Sequence, residues 1–561
     1  MTERHSGGDG STDPLELEIY RAAVGSVLDE VETNLTRTAY SPLIYEYKDY
    51  TIGLLSPEFE LINQSRYNLP LFMADLGAPV RDCVEVLGRE TLHRGDVFLT
   101  NFAAVQGQHL NNVVLAAPLF TGEDLVGYVA VRAHWADVGG RTPGSMSWHA
   151  RSIFEEGVQY RALRVVRAGA PQPEVVATIL ANTRMIDYVR GDLMAQIGCC
   201  DLAQRRWDER VACRWTQADM HRLRAEQRRR SAAYARQKVA QLPDGVFAAS
   251  CLLDDSGSPG TAPLLMSLEV TVSGEQMTID LADMPPQVAA PINAGATGGG
   301  VSLCRLAFKA LVAPDYPLDE GLFDPLAINV VSGSMLGAGQ TAPMGHWNNS
   351  LATVGDLVLK ALAQVVPDRL PAGHHATMGV YQFTGEGPDG LWYTMDTIGG
   401  GWGGSAEHDG FSPLKTMFHG DNRELPMEVV ESRFPLRYES AGFIPDSAGP
   451  GLHRGGLGVE KVVLTEADDV LFSSSMERTR TPPWGINGGL PGRSGGIDVQ
   501  EPGEDTWTSA LKVTDRRLPK GSRVRVRSHG GGGWGDPSLR SPAARDADAA
   551  AGLVTFDRSP H

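Results

Sequence analysis

The stretch that decides the reading is Gly107–Gly140, GQHLNNVVLAAPLFTGEDLVGYVAVRAHWADVGG. Two apolar runs, 113–120 and 125–134, flank TGED and predict a β-hairpin with a four-residue loop. If Phe120 pairs with Leu125, His109 falls opposite Ala136 at the open end. His134 lies two residues from Ala136 and shares its face, because strand faces alternate. The two imidazoles are then diagonal neighbours, roughly 7–8 Å apart at the backbone. A register shifted by one sets Asp137 opposite His109 instead. Two histidines and a carboxylate suit a divalent metal such as zinc or manganese, with positions left open for water or substrate. Two separate, hydrogen-bonded strand-end histidines fit the same residues, and the hairpin alone leaves both readings open.

Upstream, DPLELEIYRAAVGSVLDEVETNLTRTAYS carries Asp13 as N-cap, Pro14 at the first helical position and Glu16 at the third. Leu15, Ile19, Ala23, Val27, Val31 and Leu35 predict its buried face. YKDYTIGLLSPEFELINQ reads as two short strands around a Ser-Pro turn. Downstream, 172–240 is helical, and its arginine run reads as a solvated helix face. Alternation resumes in LLMSLEVTVSGEQMTIDLA, with helical patches at 298–312 and 351–366. After 390 the chain is turn-rich and strand-like, with HGGGGWGDP expected to pack closely against other backbone. The expectation is a mixed α/β (α+β), multidomain chain with a helical, hairpin-bearing N-terminal region and a Gly-rich, β-dominated C-terminal region. Its parts are a disordered tail at 1–12, an N-terminal domain at 13–243, a middle domain at 244–390, a C-terminal domain at 391–537 and a loose tail at 538–561.

The 561 residues carry a net charge of −18, which argues against a general nucleic-acid binder. The six cysteines include no CxxC pair, and adjacent Cys199 and Cys200 are expected to be buried thiols, as in a reducing compartment. No apolar leader and no membrane-length apolar run is read, so a cytoplasmic location is expected.

The run GDVFLTN…GQHLNNVVLAAPLF, then HWADVGGRTPGS and IFEEGVQY, resembles the hydantoinase B/oxoprolinase family. ANTRMIDYVRGDLMAQ, PINAGATG, GGGWGGSAEHDG, PMEVVESRFPL, PDSAGPGLHRGGLGVEK, PPWGINGGLPG and HGGGGWGDP continue the resemblance in family order, from about residue 14 to 537. The resemblance implies a B-type subunit in a hetero-oligomer with an A-type partner. That partner would bind ATP and phosphorylate a small-molecule substrate, a hydantoin, lactam or oxoproline-like ring, and this chain would complete the hydrolysis. This chain has no GxxxxGK[ST] loop of its own. An ATP-dependent ketone carboxylase subunit and a non-catalytic scaffold for an A-type subunit are the alternatives.

The resemblance also implies site residues. His109 and His134 match its metal-binding histidines, but its aspartate position holds Asn112, a neutral and weaker donor. Asp137 and Asp49 are the carboxylates expected to compensate. Phe72 stands where many relatives carry histidine, and TNFAA stands where they read NDP. Glu156 is either a general base or a carboxylate capping neighbouring amides. Asp137 is also a catalytic candidate. Arg184 and Asp192 match family positions, where they would orient a phosphorylated intermediate or form a structural ion pair. Asn293 begins a glycine turn that either cradles an anion or is only a turn.

Overall fold

The computed structural model describes residues 12–555 apart from 68, 259, 389 and 421. The tail expected at 1–12 lies, but for its last residue, outside that range. Helix α1, Pro14–Thr38, begins as expected, with the Asp13 side chain accepting from the Leu15 N–H. Its buried face is Leu17, Tyr20, Val24, Val27, Leu28, Val31 and Leu35. Leu15 and Ile19 are instead 67% and 42% exposed. A stripe drawn at four-residue spacing drifts about 40° per step on a 3.6-residue helix, so its first members leave the face that the last ones occupy.

The N-terminal region is built on one antiparallel sheet of β1 (Tyr50–Leu55), β2 (Leu61–Gln64), β3 (Val97–Thr100), β4 (Asn112–Thr121), β5 (Asp124–His134), β6 (Leu163–Arg167) and β7 (Ala170–Pro171). Its strand order is β2-β1-β5-β4-β3-β6-β7. Three helical segments follow, Pro173–Leu180, α2 (Ile186–Trp207) and α3 (Gln217–Val239). Cys199 and Cys200 are free, buried thiols of α2, which packs against α1. The α3 arginines spend their charge on Glu16, Asp219, Glu226, Glu60 and Asp324, which is the solvated face the sequence suggested.

The β4–β5 hairpin forms, with a shorter turn than expected and, past a bulge, the shifted one of the two registers considered. Thr121 pairs with Asp124, which shortens the loop to two residues. Phe120 does pair with Leu125, but a bulge follows and Leu119 pairs with Gly127. Gly127 lies against β1, where a side chain would meet the Leu55 carbonyl oxygen at 2.4 Å. The bulge moves the register by one, and the ladder closes on Asn112 opposite His134.

The middle region is a sheet of β8 (Gly245–Leu253), β9 (Leu264–Ser273), β10 (Gln276–Asp280) and β11 (Leu326–Asn329), packed with α4 (Ser302–Val312) and α5 (Asn348–Ala363). The 243/244 boundary does not separate cores: one continuous apolar cluster runs from Leu17 through Val270 and Leu362 to Trp534. The 390/391 boundary is corrected. It cuts through a hairpin, because β12 (Val380–Gly387) and β13 (Gly390–Thr397) pair along their whole length. The sequence Gly-Pro-Asp-Gly at 387–390 looks like a linker when read alone.

Two further sheets complete the C-terminal region. They use β14 (Leu436–Phe443), β15 (Val459–Thr465), β16 (Val470–Ser475), β17 (Gly496–Gln500), β18 (Thr508–Ser509), β19 (Lys512–Leu518) and β20 (Arg523–Arg527). Their orders are β13-β12-β16-β19 and β14-β15-β20-β17-β18. HGGGGWGDP packs backbone against backbone as expected. A side chain at Gly531 would stand 2.0 Å from the Trp402 carbonyl oxygen, and one at Gly532 would stand 1.9 Å from that of Trp484. The tail expected to be loose at 538–561 is instead ordered at α6, Pro542–Ala550. Arg540 clamps it by donating to both Asp409 and Asp548. Two partly buried ion pairs outweigh the alanine-rich, turn-like composition on which the looser expectation rested.

Candidate functional site

Three neighbouring strands deliver polar side chains to one end of the first sheet. Asn112 opens β4, His134 closes β5 opposite it, and Asp49 precedes β1. The His134 N–H donates to the Asp49 carbonyl at 3.1 Å, so Asp49 continues the β1–β5 ladder. His109 sits in the turn before β4, and its ring centroid is 4.9 Å from that of His134, edge to face. The Asp49 carboxylate comes within 3.6 Å of His134 Nδ1. All four line one small cavity of about 30 Å³. Its other walls include Phe72, Met146, Trp347, Met378, Met395, Tyr47, Thr397 and His419.

Burial sets the charge state of this group. It lowers His109 to about 4, an effect that Asn112 and the Gly345 carbonyl partly oppose. It pushes His134 well below the usual imidazole range, with His109 adding to the effect. It raises Asp49 to about 7, against the pull of the Arg132 guanidinium. Close as they are, Asp49 and His134 are therefore a carboxyl beside a neutral imidazole rather than an ion pair. Asp49 Oδ1, Asn112 Oδ1 and both His134 nitrogens are buried without a hydrogen-bond partner. Buried polar atoms left open at one point are what a bound ligand would satisfy.

Layers behind the cavity orient these atoms. His109 Nδ1 lies 3.4 Å from the Gly345 carbonyl oxygen. Donation there leaves the Nε2 lone pair free. Gly345 is held in turn by Glu156, which accepts from the Met344 and Gly345 amides at 2.9 and 2.7 Å. Glu156 is thus the amide-capping carboxylate, not a base in the cavity, and burial raises it to about 8 against those two bonds. A second chain fixes Asn112: its Nδ2 donates to Gln108 Oε1 at 2.9 Å, and Gln108 Nε2 donates to Asp75 at 2.7 Å. That orientation leaves Asn112 Oδ1 as its open atom. Asp75 also takes the buried Arg132 guanidinium, which lies over the Phe72 ring at 4.7 Å. The turn carrying His109 is pinned by backbone contact, since a side chain at Gly295 would meet Gly107 Cα at 2.5 Å.

The other expected residues are placed elsewhere. Asp137 does not reach the imidazoles, because the ladder ends three residues before it. Its oxygens accept from Ser145, Thr183 and Arg184, and it is absent from the cavity walls. Arg184 forms the other half of that structural pair and bonds the Gly140 carbonyl, which buttresses the loop leading to Met146. Asp192 accepts from the Tyr40 and Ser41 amides at 2.8 and 3.0 Å and caps the turn that leads to Asp49. Asn293 stitches its own loop through Val288, Ala290 and Pro343, which is the plain-turn reading. The sequence reading missed Tyr47, Thr397, Trp347 and His419. Tyr47 stands two residues before Asp49, while Thr397, Trp347 and His419 come from distant segments that only the tertiary fold collects.

The hydantoinase B/oxoprolinase family model matches residues 13–537. The chain belongs to that family. The putative B-type component of a D-/L-hydantoinase from Pseudomonas sp. (strain NS671) is 28% identical over 98% of this chain and 94% of its own length. The beta chain of the Pseudomonas jessenii caprolactamase is 27% identical over 98% and 95%. The crystal structure of the ATP-dependent caprolactamase from that organism shares the fold, with a TM-score of 0.90 at 24% identity over 98% of this chain and 95% of that one. A nucleotide-free acetone carboxylase structure shares it too, at a TM-score of 0.88 and 17% identity, covering 97% and 78%. Among the described residues, no helix is long and apolar enough to cross a membrane.

The fit of a divalent metal rests on the donor set. Two imidazoles, a carboxylate and an amide oxygen with open lone pairs suit zinc or manganese. Among the described residues, no three His, Cys, Asp or Glu side chains yet stand close enough together to hold an ion as they are. Phe72, where the resemblance favours histidine, supplies an apolar wall instead of a donor.

Proposed function

We propose that this chain is the B-type subunit of an ATP-dependent cyclic amide hydrolase. It would act on a hydantoin, lactam or oxoproline-like ring that an ATP-binding A-type partner activates by phosphorylation. The observation that carries the reading is the cavity lined by His109, where Asp49, Asn112 and His134 present unsatisfied atoms. The family membership and the hydantoinase and caprolactamase relatives support the substrate class.

In this reading His109, His134 and Asp49 hold a divalent metal, with Asn112 as a weaker fourth donor. A metal so held supplies a Lewis acid for the ring's activated carbon and a more acidic water. The chain's own residues do the rest. The apolar walls exclude bulk water, which strengthens every polar contact inside. Among the described residues Asp49 is the one carboxyl on the walls, and its oxygen not bound to the metal would take a proton from water attacking the ring. Glu156 and the Asp75–Gln108–Asn112 chain hold His109 and Asn112 in orientation, as outer partners of a metal site do.

The test is a purified complex of this chain and an A-type subunit, given ATP and a panel of hydantoin, 5-oxoproline and caprolactam. ATP-dependent ring opening of one member, lost in His109→Ala, supports the reading, and no opening by the complex contradicts it. The scaffold reading is favoured by two observations: Asn112 and Phe72 both remove charged or basic donors from the cavity. It requires instead that His109→Ala leave the complex fully active.

A further inference from the structure

The same cavity also carries two hydroxyls, Tyr47 and Thr397, both about 1% exposed. Tyr47 Oη and Thr397 Oγ1 lie 2.9 Å apart. Behind them Lys415 Nζ donates to Thr397 Oγ1 at 2.8 Å and also to the Thr397 carbonyl. The lysine's acidic neighbours stand farther off, Glu424 at 3.5 Å and Asp396 at 3.9 Å. Glu424 is engaged by Lys461 and the Gly399 amide.

Counting hydrogens shows what this arrangement leaves over. An ammonium donates and cannot accept, so the Lys415–Thr397 bond uses a lysine hydrogen. Thr397 and Tyr47 together own two hydroxyl hydrogens and share one bond. Among the described residues neither hydroxyl has any further hydrogen-bond partner. One O–H is therefore spare on the cavity wall. The ammonium beside Oγ1 turns the threonine hydrogen away from itself and toward Tyr47, which leaves the tyrosine hydrogen as the spare donor.

We propose that Tyr47, seconded by Thr397, is a substrate-binding donor for an acceptor oxygen, the amide carbonyl oxygen of the ring or a phosphoryl oxygen carried on it. Lys415 is a positioning residue that acts through Thr397. The inference deepens the cyclic amide reading and rests on it for the ligand class. It gives the cavity two kinds of group: Asp49 and the histidines, and a hydroxyl donor. As negative charge gathers on the bound oxygen during attack at its carbon, a fixed donor stabilises it without reorganising. No bond to Tyr47 forms or breaks, and the donor keeps its proton.

The experiment is calorimetric titration of hydantoin, and separately of inorganic phosphate, into the full chain and its variants. Binding of hydantoin alone identifies the carbonyl source, and binding of phosphate alone identifies the phosphoryl source. The combined Tyr47→Phe, Thr397→Val variant removes both hydroxyls and is expected to bind the competent probe about tenfold or more weakly, the scale of a lost buried hydrogen bond. Tyr47→Phe alone falls between, because Thr397 then frees its own hydrogen. Thr397→Ser, which keeps the hydroxyl, retains binding and guards against a folding artefact. Lys415→Met weakens binding while Lys415→Arg restores it. The inference is overturned if the double variant binds within about twofold of wild type, or if wild type binds neither probe. Ring opening by the complex tests the two ideas apart. Unchanged turnover in the double variant sinks the donor and spares the hydrolase. Hydroxyl-dependent binding without turnover does the reverse.

Discussion

Replacing Asp75 by alanine should be among the most damaging single changes near the cavity. Arg132 is fully buried and Asp75 is 2% exposed, with Nη1 at 2.7 Å from the carboxylate. Arg132 Nε and Nη2 already lack partners, so Asp75 is its one hydrogen-bonded counter-charge. Removing one member of a buried pair leaves an uncompensated charge and costs about 3–5 kcal/mol. The companion variant Asp75→Leu, Arg132→Met removes both charges and should recover most of that loss, because apolar replacement of a whole buried pair is near neutral. Urea denaturation of the full chain reads the effect as a shift in midpoint at constant slope. A second consequence follows through Gln108, whose Nε2 loses its short bond to Asp75 and keeps only the 3.5 Å contact with the Gly298 carbonyl, so that it fixes Asn112 less firmly. Metal affinity should fall about 10–100-fold, the usual effect of losing an outer partner. Gln108→Leu should show that affinity loss with a smaller stability loss, since no charge is stranded. An Asp75→Ala variant within about 1 kcal/mol of wild type, or a double variant as unstable as the single one, would refute the reasoning.

Asp192 gives a pH-dependent prediction. Burial raises it to about 7, so the folded chain binds this proton more tightly than the unfolded chain does. Its contribution is fully present below pH ~4 and is lost as pH rises toward 7. Asp192→Asn keeps an oxygen for the Tyr40 and Ser41 amides and should flatten that slope in a series of melts from pH 4 to 8; an unchanged slope counts against it. Gly532→Ala should abolish cooperative folding of the C-terminal region, because the methyl would stand 1.9 Å from the Trp484 carbonyl oxygen. Limited proteolysis should show that region cut rapidly, and wild-type resistance would refute the close packing. Gly295→Ala should displace the His109 turn and lower metal occupancy while the melting midpoint shifts less than in Gly532→Ala.

Much of the site was legible in the first hairpin. His109 and His134 do meet, because strand pairing in a hairpin is local and its face alternation is strict, and Asp49, expected from the family resemblance alone, joins them across the β1–β5 pairing. The register was not legible, since the bulge at Leu119–Phe120 depends on β1 approaching Gly127, a contact made over seventy residues of chain. That one-residue shift put Asn112, rather than Asn111, opposite His134. The shifted register would set Asp137 opposite His109, but the ladder ends at His134 and Asp137 pairs with Arg184 instead. Glu156 was recognisable as an amide-capping candidate, but its partners Met344 and Gly345 are 188 and 189 residues away. The β12–β13 hairpin was hidden by a connecting sequence that resembles a linker, and α6 by a composition that resembles a tail.

The measurement that bears most directly on the central claim is the metal content of the purified full chain, with and without supplementation by zinc or manganese, beside a His109→Ala, His134→Ala variant. The account predicts near-stoichiometric metal in the wild type and its loss in the variant, with both proteins showing the same melting profile apart from the metal-dependent part. Equal metal in both, or none in the wild type after supplementation, would contradict it and leave the cavity as part of a scaffold.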